Sequence, residues 1–163
     1  KSTRKPDQNP EIMANEILEK VLEELNRDFY DVMIINFANA DLVAHSGNLE
    51  KTTQGIEVVD SCVGRLKEAI LAKNGIMIIT SDHGNAEAMA YHGGEAETRH
   101  NISPVLFHIV VKEYERQKTE EEITNSLAET RGIIADIAPT ILEILGVSKP
   151  EEMTSESLFK VLG

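Results

Sequence analysis

Two short segments of the sequence place carboxylate and imidazole side chains directly after an apolar run. One of them follows the apolar residues 75–80 and contains Asp82 and His83. Apolar runs that end in polar residues and Gly are typical of buried strands, and α/β proteins build their sites at the carboxyl ends of such strands. Asp82 and His83 are therefore candidate metal ligands.

The second segment, residues 39–47, follows the apolar run at 31–37 and contains Asp41 and His45. These two residues are four positions apart, so one helical turn points both side chains the same way. His100, which precedes a third apolar run, is a further candidate. Carboxylate and imidazole ligands without a thiolate suit a divalent ion, and Mn, Zn, Fe and Co are all chemically admissible.

A structural interpretation competes with the metal site. A single Asp–His pair more commonly marks a helix N-cap beside an exposed His than a metal centre. The agreement of three separate segments favours the metal site. His92 in a glycine-rich stretch and His108 inside a strand pattern have no such support, and we expect both to be structural or exposed.

Composition limits the classes of function. The 163 residues are 41% hydrophobic, which is enough for a core, and we expect a single domain. The sequence has 28 acidic and 16 basic residues. The resulting net charge of −12 repels nucleic acid and anionic membranes. The sole cysteine, Cys62, is expected to be a buried reduced thiol. No run reaches the roughly 20 apolar residues of a membrane span, so we expect a cytoplasmic protein.

The order of elements predicts an α/β fold. Apolar residues at helical spacing predict helices over residues 10–26, 51–73 and 136–145, and apolar runs predict strands at 32–37, 76–80 and 105–111. Alternating helices and strands with short connections are typical of a parallel sheet, because each crossover passes over one face. We therefore expect a mostly parallel sheet flanked by helices. The charged residues 112–130 predict a solvated helix or loop without a function.

Longer motifs around the candidate ligands resemble those of the cofactor-independent phosphoglycerate mutases, which belong to the alkaline phosphatase superfamily. Residues 39–47 read Asn-Ala-Asp-Leu-Val-Ala-His-Ser-Gly and residues 83–87 read His-Gly-Asn-Ala-Glu, a combination that points to this mutase. Asp-Ile-Ala-Pro-Thr at 136–140 marks only the superfamily. The resemblance covers residues 31–158 and implies an alkaline-phosphatase-like α/β fold that is incomplete in this segment.

The resemblance also implies a site with two divalent ions, with Mn²⁺ as the expected metal. It assigns Asp41, His45 and His100 to one ion, and Asp82 and His83 to the other. The family's nucleophilic Ser, a further Asp ligand and the substrate-binding arginines have no counterpart in these 163 residues. We therefore expect the chain to be the C-terminal part of the phosphatase-like domain, and to be inactive alone.

The activity that the resemblance implies for the intact enzyme is the interconversion of 2- and 3-phosphoglycerate in glycolysis, through a phosphoserine intermediate. The expected partner is a small-molecule phosphoglycerate, without nucleic acid or membrane, and the expected enzyme is a monomer. Two alternatives stay open: another superfamily enzyme, such as a phosphopentomutase, phosphodiesterase or sulfatase, and a non-catalytic metal-binding or assembly domain. The family commonly has His-Thr-Thr-Asn-Pro where residues 100–104 read His-Asn-Ile-Ser-Pro, so the loop at His100 departs from the family pattern.

Overall fold

The computed structural model describes residues 6–89 and 98–161 of the chain. They divide into two compact units, of which the first runs to Arg116 and the second begins at Gln117. All the candidate ligands lie in the first unit. His92 lies outside the described residues, and our expectation of a single domain remains a prediction.

The first unit contains helices and a small sheet in alternating order. Short 3₁₀ turns at Pro6–Gln8 and Lys112–Tyr114 lie at its two ends. Its α-helices and β-strands, within the described residues, are α1 (Ala14–Arg27), α2 (Asn39–Ala44), α3 (Leu49–Ala72), β1 (Met77–Thr80) and β2 (Phe107–Val110).

The two long helices α1 and α3 agree with the helices predicted from apolar spacing, and they form the core of this unit. Ala14 and Leu18 of α1 pack with Cys62 and Leu66 of α3, and all four side chains are buried. Complete burial of one Leu side chain contributes about 1.5–3 kcal/mol. Cys62 forms no disulfide, and burial raises the pKa of its thiol, in agreement with the predicted reduced cysteine.

The end of α3 sets the start of the sheet. Asn74 has a φ of 55°, and the Gly75 N–H donates to the Ile70 carbonyl at 2.9 Å. A Cβ atom at Gly75 would lie 2.8 Å from Ile70 Cγ2, so only glycine fits this close turn. The strand β1 begins two residues later, at Met77. The predicted stop at Asn74 and Gly75 therefore occurs where expected.

The strands β1 and β2 run antiparallel, with Met77 opposite Val110 and Thr80 opposite Phe107. This pairing differs from the parallel arrangement that we predicted from the order of elements. Parallel neighbours need a crossover, usually a helix. The described residues of the connection between the two strands, 81–89 and 98–106, contain no helix, and the chain returns to the same end of the sheet.

The predicted strand at residues 32–37 is not formed. The segment has no regular secondary structure, and Ile34 is 91% exposed. A strand needs a neighbour to take up its backbone hydrogen bonds. Within the described residues the sheet consists of β1 and β2, and neither pairs with this segment. Ile34 therefore lies at the surface of the unit, whereas Phe37 at the end of the run packs against the core of α1 and α3.

The second unit contains α4 (Glu120–Ala128), α5 (Ile137–Ile144) and 3₁₀ turns at Ile134–Asp136 and Leu158–Val161. The helix α4 has no buried residue, which agrees with the predicted solvated segment. In α5 the buried Thr140 hydroxyl accepts from the Leu158 N–H at 2.8 Å. Among the described helices of both units, none has the length and apolar character of a membrane span.

Candidate metal centre

The short helix α2 carries two of the candidate ligands. Asp41 lies in its first turn, and His45 is the residue that caps its C-terminal end. The Nε2 atom of His45 is 3.3 Å from Asp41 Oδ1. The four-residue spacing therefore brings both side chains together, as the sequence predicted.

Buried contacts fix the position of α2. Asn39 is 2% exposed, and its Nδ2 donates to the carbonyls of Pro10 at 2.8 Å and Glu11 at 2.7 Å. On the opposite helix α3, a Cβ atom added to Gly55 would lie 3.7 Å from both Asn39 O and a methyl group of Val43. Its tightest contact, at 3.3 Å, would be with the Pro10 carbonyl oxygen that also accepts from Asn39, so Gly55 leaves room for that backbone segment. Asn39 thus ties the helix that carries Asp41 and His45 to the segment just before α1.

The antiparallel sheet places the other candidate ligands beside one another. Thr80 ends β1 and pairs with Phe107, which begins β2, so the residues after β1 and before β2 emerge at one end. The contact continues in the loops, where the Asn101 N–H donates to the Gly84 carbonyl at 2.9 Å. In a parallel pair, residues before the second strand would lie at the opposite end of the sheet. The antiparallel pairing therefore explains why His100 joins the other ligands.

Four of the candidate ligands meet at the Oδ1 atom of Asp41. The Nε2 atoms of His100, His45 and His83 lie 3.1, 3.3 and 3.9 Å from it. His45 Nε2 and His100 Nε2 are 3.2 Å apart, and the rings of His83 and His100 stack with their centroids 3.6 Å apart. We call these four residues the Asp41 cluster: Asp41, His45, His83 and His100.

The spacing of the Asp41 cluster fits a shared divalent ion. Metal–ligand bonds to carboxylate oxygen and imidazole nitrogen are about 2.0–2.2 Å long, which places neighbouring ligand atoms about 2.8–3.6 Å apart in octahedral or tetrahedral geometry. The three distances among Asp41 Oδ1, His45 Nε2 and His100 Nε2, at 3.1 to 3.3 Å, lie within that range. These three atoms can therefore hold one ion.

The hydrogen bonds of the imidazoles favour the same conclusion. His45 Nδ1 is 2.5 Å from the Thr98 carbonyl oxygen, which can only accept, so we assign the ring proton to Nδ1. The lone pair of His45 is then on Nε2, the atom that lies close to Asp41 and His100. A backbone carbonyl that orients an imidazole in this way is the usual second partner of a metal-binding His.

Asp82 lies at the edge of this arrangement. Its side chain is 85% exposed, and its Oδ1 is 3.6 Å from His83 Nε2. It does not belong to the group of close ligand atoms that Asp41, His83 and His100 form. The assignment of Asp82 and His83 to a second ion therefore remains a prediction. The side chains of His83 and His100 are 25% and 50% exposed, so the site is open to small molecules.

Two residues near the ligands were not singled out by the sequence. Asn85 is 4% exposed, and its Nδ2 donates to Asp41 Oδ1 at 2.8 Å. The Oδ1 atom of Asn85 is also buried and has no hydrogen-bond partner within the described part of the chain. Both Asn85 and Glu87 lie in the motif that carries the family resemblance, but neither an amide nor a lone exposed carboxylate signals a ligand.

Glu87 connects the two loops that carry His83 and His100. Partial burial raises the pKa of Glu87, but hydrogen bonds from its own N–H, the side chains of Ser103 and Asn101, and the Asn85 N–H outweigh this effect and hold the pKa below its ordinary value. The Asn85 N–H donates to Glu87 Oε2 at 2.9 Å. The Asn101 Nδ2 makes no hydrogen bond of standard geometry within the described residues. The hydrogen bonds to Glu87 from Ser103 and Asn85 are therefore better supported than the one from Asn101.

The remaining histidines lie apart from the cluster or outside the description. His108 is an exposed residue in the middle of β2, opposite Ile79, which agrees with the prediction for it. His92 is not described. The five predicted ligands therefore consist of four that form the Asp41 cluster and Asp82 beside it.

Comparison with known proteins identifies the family. A family model described as the Metalloenzyme superfamily matches residues 3–149 of the chain. The 2,3-bisphosphoglycerate-independent phosphoglycerate mutase of Picosynechococcus sp. is 43% identical over 152 residues, which are 93% of this chain and 29% of that protein. The protein of the same name from Clostridium acetobutylicum is 42% identical over 155 residues, which are 94% of this chain and 28% of that protein.

A solved structure shows the same fold. The chain matches a Leishmania mexicana phosphoglycerate mutase, crystallised at low cobalt concentration, with a TM-score of 0.77 and 29% identity over 95% of this chain and 30% of that one. This match confirms the predicted α/β class and its incomplete alkaline-phosphatase-like character. The chain spans less than a third of the length of the relatives it matches. On the family match and on this similarity over nearly its whole length, the chain belongs to the Metalloenzyme superfamily.

Proposed function

We propose that the polypeptide carrying this chain is a phosphoglycerate mutase that interconverts 2- and 3-phosphoglycerate, and that this chain provides its metal-binding part. The observation that carries the proposal is the convergence of Asp41, His45 and His100, whose ligand atoms lie 3.1 to 3.3 Å from one another. The similarity to mutases over 93% of the chain gives this site its proposed activity.

The chemistry of phosphoryl transfer explains why such a site is needed. A phosphate monoester resists attack until the charge on its oxygens is neutralised. Bound divalent ions supply that neutralisation and lower the pKa of a coordinated hydroxyl group. In the proposal Asp41, His45 and His100 hold one ion, and Asp82 with His83 contribute to a second. Mn²⁺ is the metal that we propose for both positions.

Neighbouring backbone groups orient and place the ligands for metal binding. The Thr98 carbonyl keeps the His45 lone pair on Nε2. The sheet holds His83 and His100 at one end, so that both imidazoles lie beside Asp41 of α2. The phosphoserine intermediate, the glycolytic role, the monomeric state and a cytoplasmic location belong to the same proposal and rest on the resemblance.

Paired histidine variants of the full polypeptide test the proposal. We expect His45→Ala and His100→Ala each to lower Mn²⁺ content and mutase activity together, because a site with three protein ligands loses much of its affinity with one imidazole. The matched control is His108→Ala, which removes an exposed imidazole from the middle of β2 and should leave both quantities unchanged. Metal content is measured by mass spectrometry and activity by conversion of 3-phosphoglycerate.

Two results would contradict the proposal. If His100→Ala keeps its full complement of metal, the ligand assignment is wrong. If the wild-type polypeptide binds metal but turns over a phosphopentose or a phosphodiester instead of 3-phosphoglycerate, the site belongs to another phosphotransferase or hydrolase.

A further inference from the structure

We propose that Asn85 is a positioning residue that orients Asp41 for metal binding, and that it couples the loop after β1 to the ligand helix α2. The inference rests on the proposed metal site, since it concerns the arrangement of one of its ligands. It assigns a role to a side chain that is not itself a ligand.

The first argument is the contact itself. Asn85 Nδ2 donates to Asp41 Oδ1 at 2.8 Å, across 44 positions of sequence. This is the oxygen that lies 3.1 and 3.3 Å from the Nε2 atoms of His100 and His45. A carboxylate can rotate about its Cβ–Cγ bond, and a hydrogen bond to one oxygen limits that rotation. Asn85 thus acts on the atom at the centre of the cluster.

The second argument is the orientation of the amide. A carboxylate oxygen only accepts hydrogen bonds, so the amide must present its NH₂ group to Asp41. This orientation leaves Asn85 Oδ1 buried without a partner within the described residues. A buried acceptor that gives up its own hydrogen bond is unfavourable. The orientation is therefore set by Asp41 and not by the packing around Asn85.

The third argument is the rigidity of the backbone at Asn85. Its N–H donates to Glu87 Oε2 at 2.9 Å, and its carbonyl accepts from the Ala88 N–H at 3.1 Å. The neighbouring Gly84 carbonyl accepts from the Asn101 N–H at 2.9 Å. With both of its peptide groups bonded and the side chain 4% exposed, Asn85 cannot move away from Asp41 without breaking several contacts.

The test compares metal affinity among variants of the full polypeptide, with Mn²⁺ alone as the probe. Asn85→Leu keeps the branched shape of the side chain and removes its donor, and Asn85→Ala serves if the larger apolar leucine prevents folding. We expect both variants to raise the Mn²⁺ dissociation constant by about 10- to 100-fold, because loss of a group that orients a ligand weakens metal binding by this amount. The matched control is Thr52→Val, because Thr52 is 1% exposed and its hydroxyl donates to the carbonyl of Asn48, the N-cap residue of its own helix α3. It should lower thermal stability and leave the dissociation constant unchanged.

A second measurement needs no metal. In the metal-free wild type the side-chain NH₂ protons of Asn85 should exchange slowly with water by NMR, and Asp41→Ala should make them exchange faster. The inference is overturned if the Asn85 variants fold and bind Mn²⁺ as tightly as the wild type, or if Asp41→Ala leaves the exchange of this amide unchanged. If the wild type binds no Mn²⁺ while the amide responds to Asp41→Ala, the proposed function fails and the link between Asn85 and Asp41 stands.

Discussion

Replacement of Gly84 by alanine tests whether the two ligand loops depend on their close approach. A Cβ atom at this position would lie 2.5 Å from Glu87 Oε1 and 3.0 Å from Ser103 Cβ, and it would also overlap Asn101 Oδ1. Side-chain ends can often swing aside at little cost. Here Glu87 accepts from the Asn85 N–H at 2.9 Å, and Asn101 Oδ1 accepts from the Ser103 N–H at 2.8 Å. Relief of the overlap therefore breaks or stretches hydrogen bonds on both sides.

The magnitude follows from these contacts. Each of the two hydrogen bonds contributes about 0.5–1.5 kcal/mol, so their loss costs about 1–3 kcal/mol in total. Overpacking a close contact also costs about 1–3 kcal/mol, and the two estimates agree. We expect Gly84→Ala to lower the free energy of unfolding by about 1–3 kcal/mol. The displaced loops should also separate His83 from His100, whose stacked rings are 3.6 Å apart, and weaken Mn²⁺ binding.

The chain offers a matched control in Gly64→Ala. A Cβ atom at Gly64 meets nothing within 4 Å, and the residue lies inside α3, where alanine is the better helix former by about 1 kcal/mol. Urea unfolding and Mn²⁺ titration calorimetry should show a destabilised, weakly binding Gly84→Ala and a neutral or stabilised Gly64→Ala with unchanged binding. Equal stability and equal affinity of the two variants would refute the close contact between the loops.

Three further predictions concern charge, packing and metal removal. The pKa of Glu87 is lowered in the folded state, so its contribution to stability is present above the ordinary Glu pKa of about 4.3 and is lost as the pH falls through the lower folded value. Urea unfolding between pH 3 and 7 should therefore show a stability difference between wild type and Glu87→Gln that shrinks in acid. Leu66→Ala, at a side chain 1% exposed in the core, should cost about 2–5 kcal/mol in the same assay while the folded protein keeps its Mn²⁺ affinity. Mn²⁺ at 100 times its dissociation constant should add about 2.7 kcal/mol to the stability of the wild type, and calorimetry should find this gain removed by chelator and absent from His100→Ala.

The sequence predicted those parts of the fold that depend on local order. Periodic apolar residues and the stop at Asn74 and Gly75 located α1 and α3, because these signals lie within the helices themselves. The spacing of Asp41 and His45 predicted their contact for the same reason. The apolar run at 32–37 was wrongly predicted as a strand, since strand formation depends on a partner that the run does not encode.

The same contrast between local and non-local features holds for the site. We selected all the members of the Asp41 cluster by residue type and by their positions at the ends of apolar runs. The expected parallel pairing would not have brought His100 to the site, because a residue before a parallel strand lies at the far end of the sheet from the residues that follow its neighbour. Strand direction is a non-local property of the pairing between Thr80 and Phe107. Asn85 went unnoticed because an amide that orients a ligand has no signature of type or spacing.

The division of the ligands between α2 and the sheet loops has a consequence for the lifetime of a bound ion. The buried Asn39 ties the helix of Asp41 and His45 to the segment before α1, whereas His100 lies 55 positions beyond His45 in a loop whose residues 98–101 are exposed or half-buried. Segments with few buried contacts open far more often than the whole domain unfolds. When residues 98–101 open, α2 retains a carboxylate and one imidazole, and that imidazole loses the Thr98 carbonyl that orients it. The dissociation rate of the ion would then follow the opening of this loop, and the protein could exchange its metal many times without unfolding.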